Sequence, residues 1–238
     1  MTNQWLLTEA AALGIQVSPE ALEQLEQYCL LLQQWNQRIN LTTITDTAEV
    51  YELHFLDSLS VHLAIDLASR RRAIDVGTGA GLPGLVLAIV FPHLKVTLLE
   101  SIAKKARFLQ EAVDVLELGA RVQVVCERAE ALGQVPEHRE EYDLAVARAV
   151  AQLTVLSEYC LPFVQLGGSF VALKGPQGEK EVAAATRSLS ILGGSEAQVV
   201  PWVLPSGAER TLIRVDKQAP TPQRYPRRVG IPGKRPLT

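Results

Sequence analysis

The sequence is short of several things, and each shortage removes a class of function. Only 3 of its 238 residues are cysteine (Cys29, Cys126 and Cys160), with no Cys-x-x-Cys pair and no histidine at ligand spacing beside them. That excludes a disulfide framework and a cysteine-based metal site, so the three read as small buried residues in a reducing compartment, and no metal is expected. No long apolar run is present either. The longest nearly uncharged one, Gly81 to Pro92, falls short of the ~20 residues that a spanning helix needs, and Pro83 and Gly84 interrupt it. No membrane association is expected. The first residues lack the basic start and apolar stretch of a secretion signal, and Glu9 comes early, so a cytoplasmic location is expected. Strong net charge is also missing: the formal value is −3, which by itself argues against a strongly basic nucleic-acid binder.

What is there begins with an uneven distribution of that charge. Lys217 to Thr238 contains six basic residues (Lys217, Arg224, Arg227, Arg228, Lys234 and Arg235) and no acidic one, leaving 17 basic against 26 acidic residues, a net −9, on the rest of the chain. Apolar residues at 47% and charged residues at 21% are ordinary for a globular protein long enough to bury a sizeable core.

The first part of the chain is helical. Residues 3 to 13 read as a short helix closed by Gly14. Ser18-Pro19 gives an N-cap followed by proline at the first helical position, and Leu22, Leu25, Cys29, Leu32 and Asn36 then fall on one face. Asp46 with Glu49 three residues on resembles a capping box and opens a further helix to about Leu63.

The pattern then changes to short apolar runs alternating with helical stretches. Strands are expected at Ala73 to Val76, Lys95 to Leu99, Val122 to Cys126, Leu144 to Ala147 and Phe170 to Leu173, with helices between them, including one from about Ala103 to Leu118 closed by Gly119. This alternation gives a parallel sheet covered on both faces. After a helix from Glu179 to Leu192, Val199 to Leu204 and Thr211 to Val215 are separated by only six residues, too few for a crossover, so that pair is expected to be antiparallel. The proline-rich basic end (Pro220, Pro222, Pro226, Pro232, Pro236) is read as extended, without a regular element. The expected divisions are a helical extension at 1–69, a sheet domain at 70–216 and a basic tail at 217–238.

One stretch carries the chemistry: Ala73-Ile-Asp-Val-Gly-Thr-Gly-Ala-Gly-Leu-Pro-Gly84. A strand that ends in alternate glycines and leads into a helix lets the backbone approach a nucleotide cofactor, with free helix N–H groups pointing at it. Such turns serve NAD, FAD and S-adenosyl-L-methionine. Here the frame is Gly77-Thr-Gly79-Ala-Gly81, with Leu82 where a dinucleotide fingerprint has its third glycine. The formal match at Gly79, Gly81 and Gly84 starts late and has Pro83 inside it. Asp75 two residues ahead of Gly77 gives Asp-x-Gly-x-Gly-x-Gly, which resembles the first motif of class I S-adenosylmethionine-dependent methyltransferases. Glu100, ending the second strand, suits two ribose hydroxyls, although NAD enzymes place an acid there too. In an open parallel sheet ligands gather at the carboxyl ends of the strands, so Ala129-Glu130 would lie beside an adenine and Arg148 would face the methyl group and the acceptor.

The segment after the fourth strand, Ala147-Arg148-Ala149-Val150, lacks the Asn/Asp-Pro-Pro-aromatic run used to methylate exocyclic amines and the proline-cysteine used on pyrimidine carbon-5. An acceptor that needs neither base nor nucleophile remains. Guanine N7 is one, since its in-plane lone pair can take a methyl group directly and the protein contributes alignment.

Beside the glycine turn, Asn40-Leu41-Thr42, His54-Phe-Leu-Asp57-Ser58-Leu59, Ala147-Arg148-Ala149, Leu173-Lys174-Gly175, Arg224-Tyr225-Pro226-Arg227 and Gly230-Ile-Pro-Gly-Lys234 are similar, in matching order over nearly the whole chain, to the RsmG (glucose-inhibited division protein B) family of small-subunit ribosomal RNA guanine-N7 methyltransferases. Ala80 stands where many relatives have proline. The resemblance implies a Rossmann-like, mostly parallel seven-stranded sheet with a closing antiparallel hairpin, S-adenosyl-L-methionine as donor, and a guanine of 16S ribosomal RNA as acceptor. It carries cofactor contacts to Gly77, Leu82, Glu100, Ser101, Ile102, Ala129, Glu130 and Arg148, and the motif adds Asp75 and Gly79.

Arg148 is expected to leave N7 free by touching guanine O6 or the cofactor carboxylate, with a structural ion pair as the other reading. His54 and Asp57 share a helix face, either as substrate contacts or as a buried packing pair. Lys174, Arg224, Tyr225, Arg227, Arg228 and Lys234 are candidate RNA contacts, a solvated tail being the alternative. With 5% aromatic residues and an acidic body the chain has little to grip RNA alone, so 16S RNA in a small ribosomal subunit is the expected partner of a monomer. A methyltransferase of this fold acting on a small molecule or protein, or a nucleotide-binding regulator without catalysis, are the competing readings.

Overall fold

The computed structural model describes residues 2–237. Helices α1 (Thr2–Ala12) and α2 (Pro19–Asn36) come first. Ser18 caps α2 as its spacing requires, its hydroxyl accepting the Ala21 N–H at 3.1 Å. Asp46 likewise accepts the Glu49 N–H at 3.1 Å and opens α3 (Thr47–Val50). Beyond α3 the chain departs from a simple helix. Tyr51–Leu56 is a π-helical turn, with the Asp57 N–H reaching the Glu52 carbonyl, before α4 (Asp57–Leu59) and α5 (Val61–Ala64) resume the α pitch. Such wide turns recur at functional sites, because they rotate side chains off the regular face.

The sheet is built from β1 (Arg72–Val76), β2 (Lys95–Leu99), β3 (Val122–Val125), β4 (Tyr142–Arg148), β5 (Val164–Lys174), β6 (Gln198–Val203) and β7 (Glu209–Asp216). Helices α6 (Gly84–Val90), α7 (Ala103–Val115), α8 (Ala129–Leu132), α9 (Leu153–Cys160), α10 (Gly178–Ile191) and α11 (Ile231–Lys234) connect and cover it. The strand order is β3-β2-β1-β4-β5-β7-β6. β1 to β5 run parallel, and β7 pairs antiparallel with both β5 and β6, as the short link predicts. The order reverses between β1 and β4, and a crevice opens there beyond the strand ends.

Alternate residues of each inner strand enter opposite cores. Ala73, Leu144, Val146, Val171 and Leu173 pack with α1 to α7 on one face, whereas Ile74, Val76, Ala145, Ala147 and Phe170 pack with α8, α9 and α10 on the other. The N-terminal helices therefore share a core with the sheet. Tyr28 stacks on Phe55 at 5.4 Å and Trp35 meets Phe108 edge-on at 5.8 Å. Tyr28, Phe55 and Phe108 are fully buried, and each such ring is worth up to about 3 kcal/mol of transfer free energy.

Three expectations are corrected. Cys126 is exposed, since β3 is an edge strand and ends one residue before it, while Cys29 and Cys160 are buried. Gly119 does not close α7: the helix ends at Val115, and Glu117 takes the left-handed conformation at φ 56°. The C-terminal segment is not an extended appendage. Tyr225, Pro226 and Pro232 are buried, α11 is a regular turn, and the segment lies against α8 and α9. Its basic side chains explain the folding back: Lys217 is paired with Glu140 at 3.0 Å and Arg227 with Glu158 at 2.6 Å.

Candidate active site

The glycine turn is fixed by Asp75, which is fully buried. Its Oδ2 accepts the Gly84 N–H at 2.7 Å and the Thr78 hydroxyl at 2.5 Å, pinning the turn between β1 and the start of α6. Burial pushes the Asp75 carboxyl up to about 6. Gly84 must be glycine for this, because a Cβ there would come within 2.6 Å of the Asp75 Cβ. From the other side the buried Tyr28 hydroxyl of α2 donates to the Ala80 carbonyl at 2.5 Å, bracing the turn.

Around this turn lies a cleft walled by Gly77, Ser101, Ala129, Glu130, Val150 and Tyr159. Glu100 stands at the end of β2, 5% exposed, its two oxygens taking the Gly79 N–H at 3.0 Å and the Ile102 N–H at 2.8 Å. Leu82 is buried beneath the turn, and the Ile102 side chain is exposed at its rim. Two buried carboxylate oxygens here, Asp75 Oδ1 and Glu130 Oε2, have no hydrogen-bond partner among the described residues. Bare buried acceptors are costly. Asp75 is sealed from the cleft, but Glu130 is in its wall and a ligand rich in N–H and O–H donors could reach it, so the residues could hold S-adenosyl-L-methionine, with Glu100 toward its ribose, Ala129 and Glu130 toward its adenine, and Gly77, Gly79 and Leu82 along its chain.

A second cavity of about 340 Å³ adjoins the first, lined by His54, Asp57, Arg148, Ala149, Lys174, Gly175 and Arg210 among others. The chain reverses between the two spaces. Ala149 adopts the left-handed conformation at φ 55°, so that Arg148 lines the second cavity while Val150 presses on Gly77 in the first. Strain of this kind is kept where function needs a particular direction.

Asp57 organises the second cavity. Its Oδ2 takes Arg148 Nη1 at 2.9 Å and its Oδ1 takes Arg210 Nε at 3.0 Å, and the carboxylate is 4% exposed. The ion-pair reading of Arg148 is thus present in the structure, yet a guanidinium has more donors than one carboxylate oxygen can occupy, and Arg148 keeps its place on the cavity wall. His54 is held by a relay from α2: Asn36 Oδ1 takes the Leu41 and Thr42 N–H groups at 2.9 and 3.0 Å, and Thr42 Oγ1 pairs with His54 Nε2 at 2.8 Å. Burial and the neighbouring Arg148 push His54 down to about 4, so it is neutral at pH 7 and a poor proton acceptor.

The candidate RNA contacts divide. Lys174 lines the cavity but is engaged, donating to the Ala151 carbonyl at 2.5 Å and to Glu181 at 2.8 Å. Arg227 is spent on the buried Glu158, and the ring of Tyr225 is buried. Arg224, Arg228 and Lys234 remain exposed on the outer side of the C-terminal segment. Sequence reasoning missed Arg210, which enters from the antiparallel β7 at the far end of the chain, and Tyr28, hidden within an ordinary apolar stripe. Among the described residues no cluster of His, Cys, Asp or Glu could hold a metal ion, and no helix is long and apolar enough to cross a membrane.

Comparison with known proteins agrees with this geometry. Residues 21–212 match the model of the family described as rRNA small subunit methyltransferase G. The ribosomal RNA small subunit methyltransferase G of Moorella thermoacetica is 48% identical over 94% of this chain and 93% of its own, and that of Roseiflexus castenholzii is 48% identical over 98% of each. Among solved structures, an O-methyltransferase from Bacillus cereus aligns with a TM-score of 0.60 over 91% of this chain and 100% of its own at 17% identity. That likeness shows the class I methyltransferase fold, with its mostly parallel seven-stranded sheet and closing antiparallel hairpin. The chain belongs to the rRNA small subunit methyltransferase G family.

Proposed function

We propose that this member of an S-adenosyl-L-methionine-dependent methyltransferase family methylates N7 of a guanine in 16S ribosomal RNA, acting in the cytoplasm on a small ribosomal subunit. The observation that carries this reading is the absence of a free base from the acceptor cavity. Of its titratable side chains, His54 is a neutral imidazole near pH 7 that takes a second proton only near 4 and so is a weak base, Asp57 is bound between two guanidinium groups, and Lys174 is bound to Glu181. A hydroxyl or amine acceptor would need a proton removed. Guanine N7 would not. Bound S-adenosyl-L-methionine supplies an electrophilic methyl group, and an N7 lone pair that accepts it loses no proton.

The chain's own residues then have positioning roles. Arg148, held in direction by Asp57 and the Leu53 carbonyl, donates to guanine O6 and leaves N7 open. Arg210 adds positive charge to the same wall and suits an RNA phosphate. Arg224, Arg228 and Lys234 supply further phosphate contacts from outside. Alignment of this kind can supply up to about 7–11 kcal/mol of the barrier reduction without chemical participation.

The test is to incubate the protein with isotopically labelled S-adenosyl-L-methionine and small subunits that lack the modification, digest the RNA to nucleosides, and identify the labelled product by mass spectrometry. 7-Methylguanosine is expected. Label in another nucleoside, or in ribosomal protein alone, contradicts the assignment.

A further inference from the structure

The C-terminal segment does more than cover the second core. Glu130 is 2% exposed and sits in the wall of the cofactor cleft. Its Oε1 accepts the N–H of Gly230 at 2.8 Å, a residue far along the chain and inside the basic tail. Its Oε2 has no hydrogen bond, and the nearest cation, Arg128 Nε, stands 3.4 Å away. One oxygen of a buried carboxylate is therefore tied by the tail and, at 3.4 Å, by Arg128 Nη2, and the other has the ion pair with Arg128 but no hydrogen bond at the cleft.

The tail is itself anchored on both sides of this bond. Arg227 clasps Glu158, which is fully buried, with Nη2 on Oε2 at 2.6 Å, Nε on Oε1 at 2.9 Å and its own backbone N–H on Oε1 at 2.8 Å. One residue earlier Pro226 lies so close to Gly133, just past α8, that a Cβ on that glycine would come within 2.9 Å of the proline ring. Gln134 and Arg139 hold the Pro226 and Tyr225 carbonyls, each at 2.7 Å. Beyond Gly230, α11 lies against α9 and brings Gly233 near Tyr159, another wall residue of the cleft. Gly230 takes the left-handed conformation, φ 78°, with which the chain turns into α11 after that bond.

We propose that residues 225–230 form a strap that fixes the Glu130 side chain, so that its Oε2, which has an ion pair but no hydrogen bond, receives the exocyclic amino group of the cofactor's adenine, with Gly230, Arg227 and Glu158 as positioning residues. This rests on S-adenosyl-L-methionine as the cofactor. Oε2 is open to a hydrogen bond that Arg128 does not make, and the amino group of adenine is a donor whereas the 6-oxo group of hypoxanthine is an acceptor that the carboxylate repels. The strap therefore sets base selectivity within the cofactor site, from a segment that contributes no side chain to it.

The experiment is calorimetric titration of the full-length protein with S-adenosylhomocysteine and with its 6-oxo analogue, S-inosylhomocysteine. The unaltered chain is expected to prefer the amino compound by on the order of ten- to a hundredfold, the range of one charge-assisted hydrogen bond. Deleting residues 229–238 removes the Gly230 amide while keeping the Arg227–Glu158 clasp. Arg227→Met loosens the clasp while keeping the chain, and serves alone if the deleted protein does not fold by circular dichroism. In each variant the preference is expected to fall below about threefold, chiefly through weaker binding of the amino compound. A tail that only stabilises the fold would weaken both compounds alike and keep the ratio, and that result overturns the proposal. So does an unaltered chain that binds both compounds equally. An unaltered chain that binds neither removes the cofactor assignment instead.

Discussion

The two halves of the site are built from opposite materials. The cofactor cleft has Glu127 and Glu130 in its wall with Arg128 between them, and the buried acids Asp75 and Glu100 fix the glycine turn at its edge, whereas the adjoining cavity presents Arg148, Arg210 and Lys174 around a single central carboxylate, Asp57. The acid side suits a ligand that carries donors and a positive centre. The cationic side suits an anionic polymer and a base with acceptors on its edge. Only the reversal at Ala149 separates them, so the charge preference of the protein changes sign within three residues of backbone, Arg148 to Val150. In such a site binding and alignment are electrostatic, in keeping with the proposed lone-pair acceptor.

Removing the central carboxylate breaks this division most severely. Asp57→Ala leaves two guanidinium groups uncompensated in a mostly buried setting, and a loss of about 3–5 kcal/mol is expected, with methyl transfer abolished. Thermal melting and single-turnover rates check this. Retention of both stability and rate would mean that Asp57 does not organise the cavity.

Next in size is a pH effect that treats the two sides oppositely. His54, facing Arg148 and Arg210, is held at about 4 against an ordinary 6.5, so the unfolded chain binds a proton in that window that the folded chain refuses, and stability falls as pH drops through it. Asp75, near Arg148 and Glu100, is raised to about 6 from 3.8, so the folded chain binds the proton more tightly and stability falls as pH rises through that window. Each is worth on the order of 3 kcal/mol. Relative to the unaltered protein, the melting temperature of His54→Gln should decline from pH 4 to 6.5, and that of Asp75→Asn should climb over nearly the same range, by roughly 6–12 °C each. Parallel curves for all three proteins would show that neither group is shifted.

A crossed pair sharpens the division of labour. Arg148→Lys should reduce turnover about a hundredfold and change S-adenosylhomocysteine affinity less than about threefold, because a point charge cannot reproduce the planar contact on O6 proposed for Arg148. Glu100→Gln should weaken S-adenosylhomocysteine about thirtyfold and leave RNA affinity nearly unchanged. If each variant impaired both ligands equally, the halves would not be separate. The smallest expected effect lies outside both: neutralising Arg224, Arg228 and Lys234 together should make the salt dependence of RNA binding shallower by about 2 to 3 in log–log slope. An unchanged slope would make the exposed tail charges mere solvated surface.

The halves also differ in how far they can be read from sequence. The cofactor side is written almost contiguously, since the glycine turn, Glu100 and Glu130 all fall at or just beyond successive strand ends, where parallel topology requires a ligand site. The acceptor side is assembled from residues 53–57, 148, 174 and 210, brought together by a π-helical turn and an antiparallel strand that no local pattern reveals. Arg148 and Lys174 are legible because they end β4 and β5; Arg210 has no such marker. The tail misleads for a related reason. Proline and unbalanced positive charge suggest an extended arm, but Arg227 and Lys217 find carboxylates on α9 and in the segment before β4, two regions whose nearness only the fold creates.

The claim that this site works by charge and alignment without a proton acceptor is tested most directly by the pH dependence of the single-turnover rate, with protein and cofactor saturating over unmodified small subunits, between pH 6.5 and 9. His54 titrates below that window, Asp75 beneath the neighbouring glycine turn titrates at about 6, and the other titratable groups of the acceptor cavity are held in ion pairs. A rate that stays within about twofold across the window is expected for a lone-pair acceptor. A rate climbing about tenfold per pH unit before levelling would show that a proton must leave before the methyl group arrives, and would contradict it.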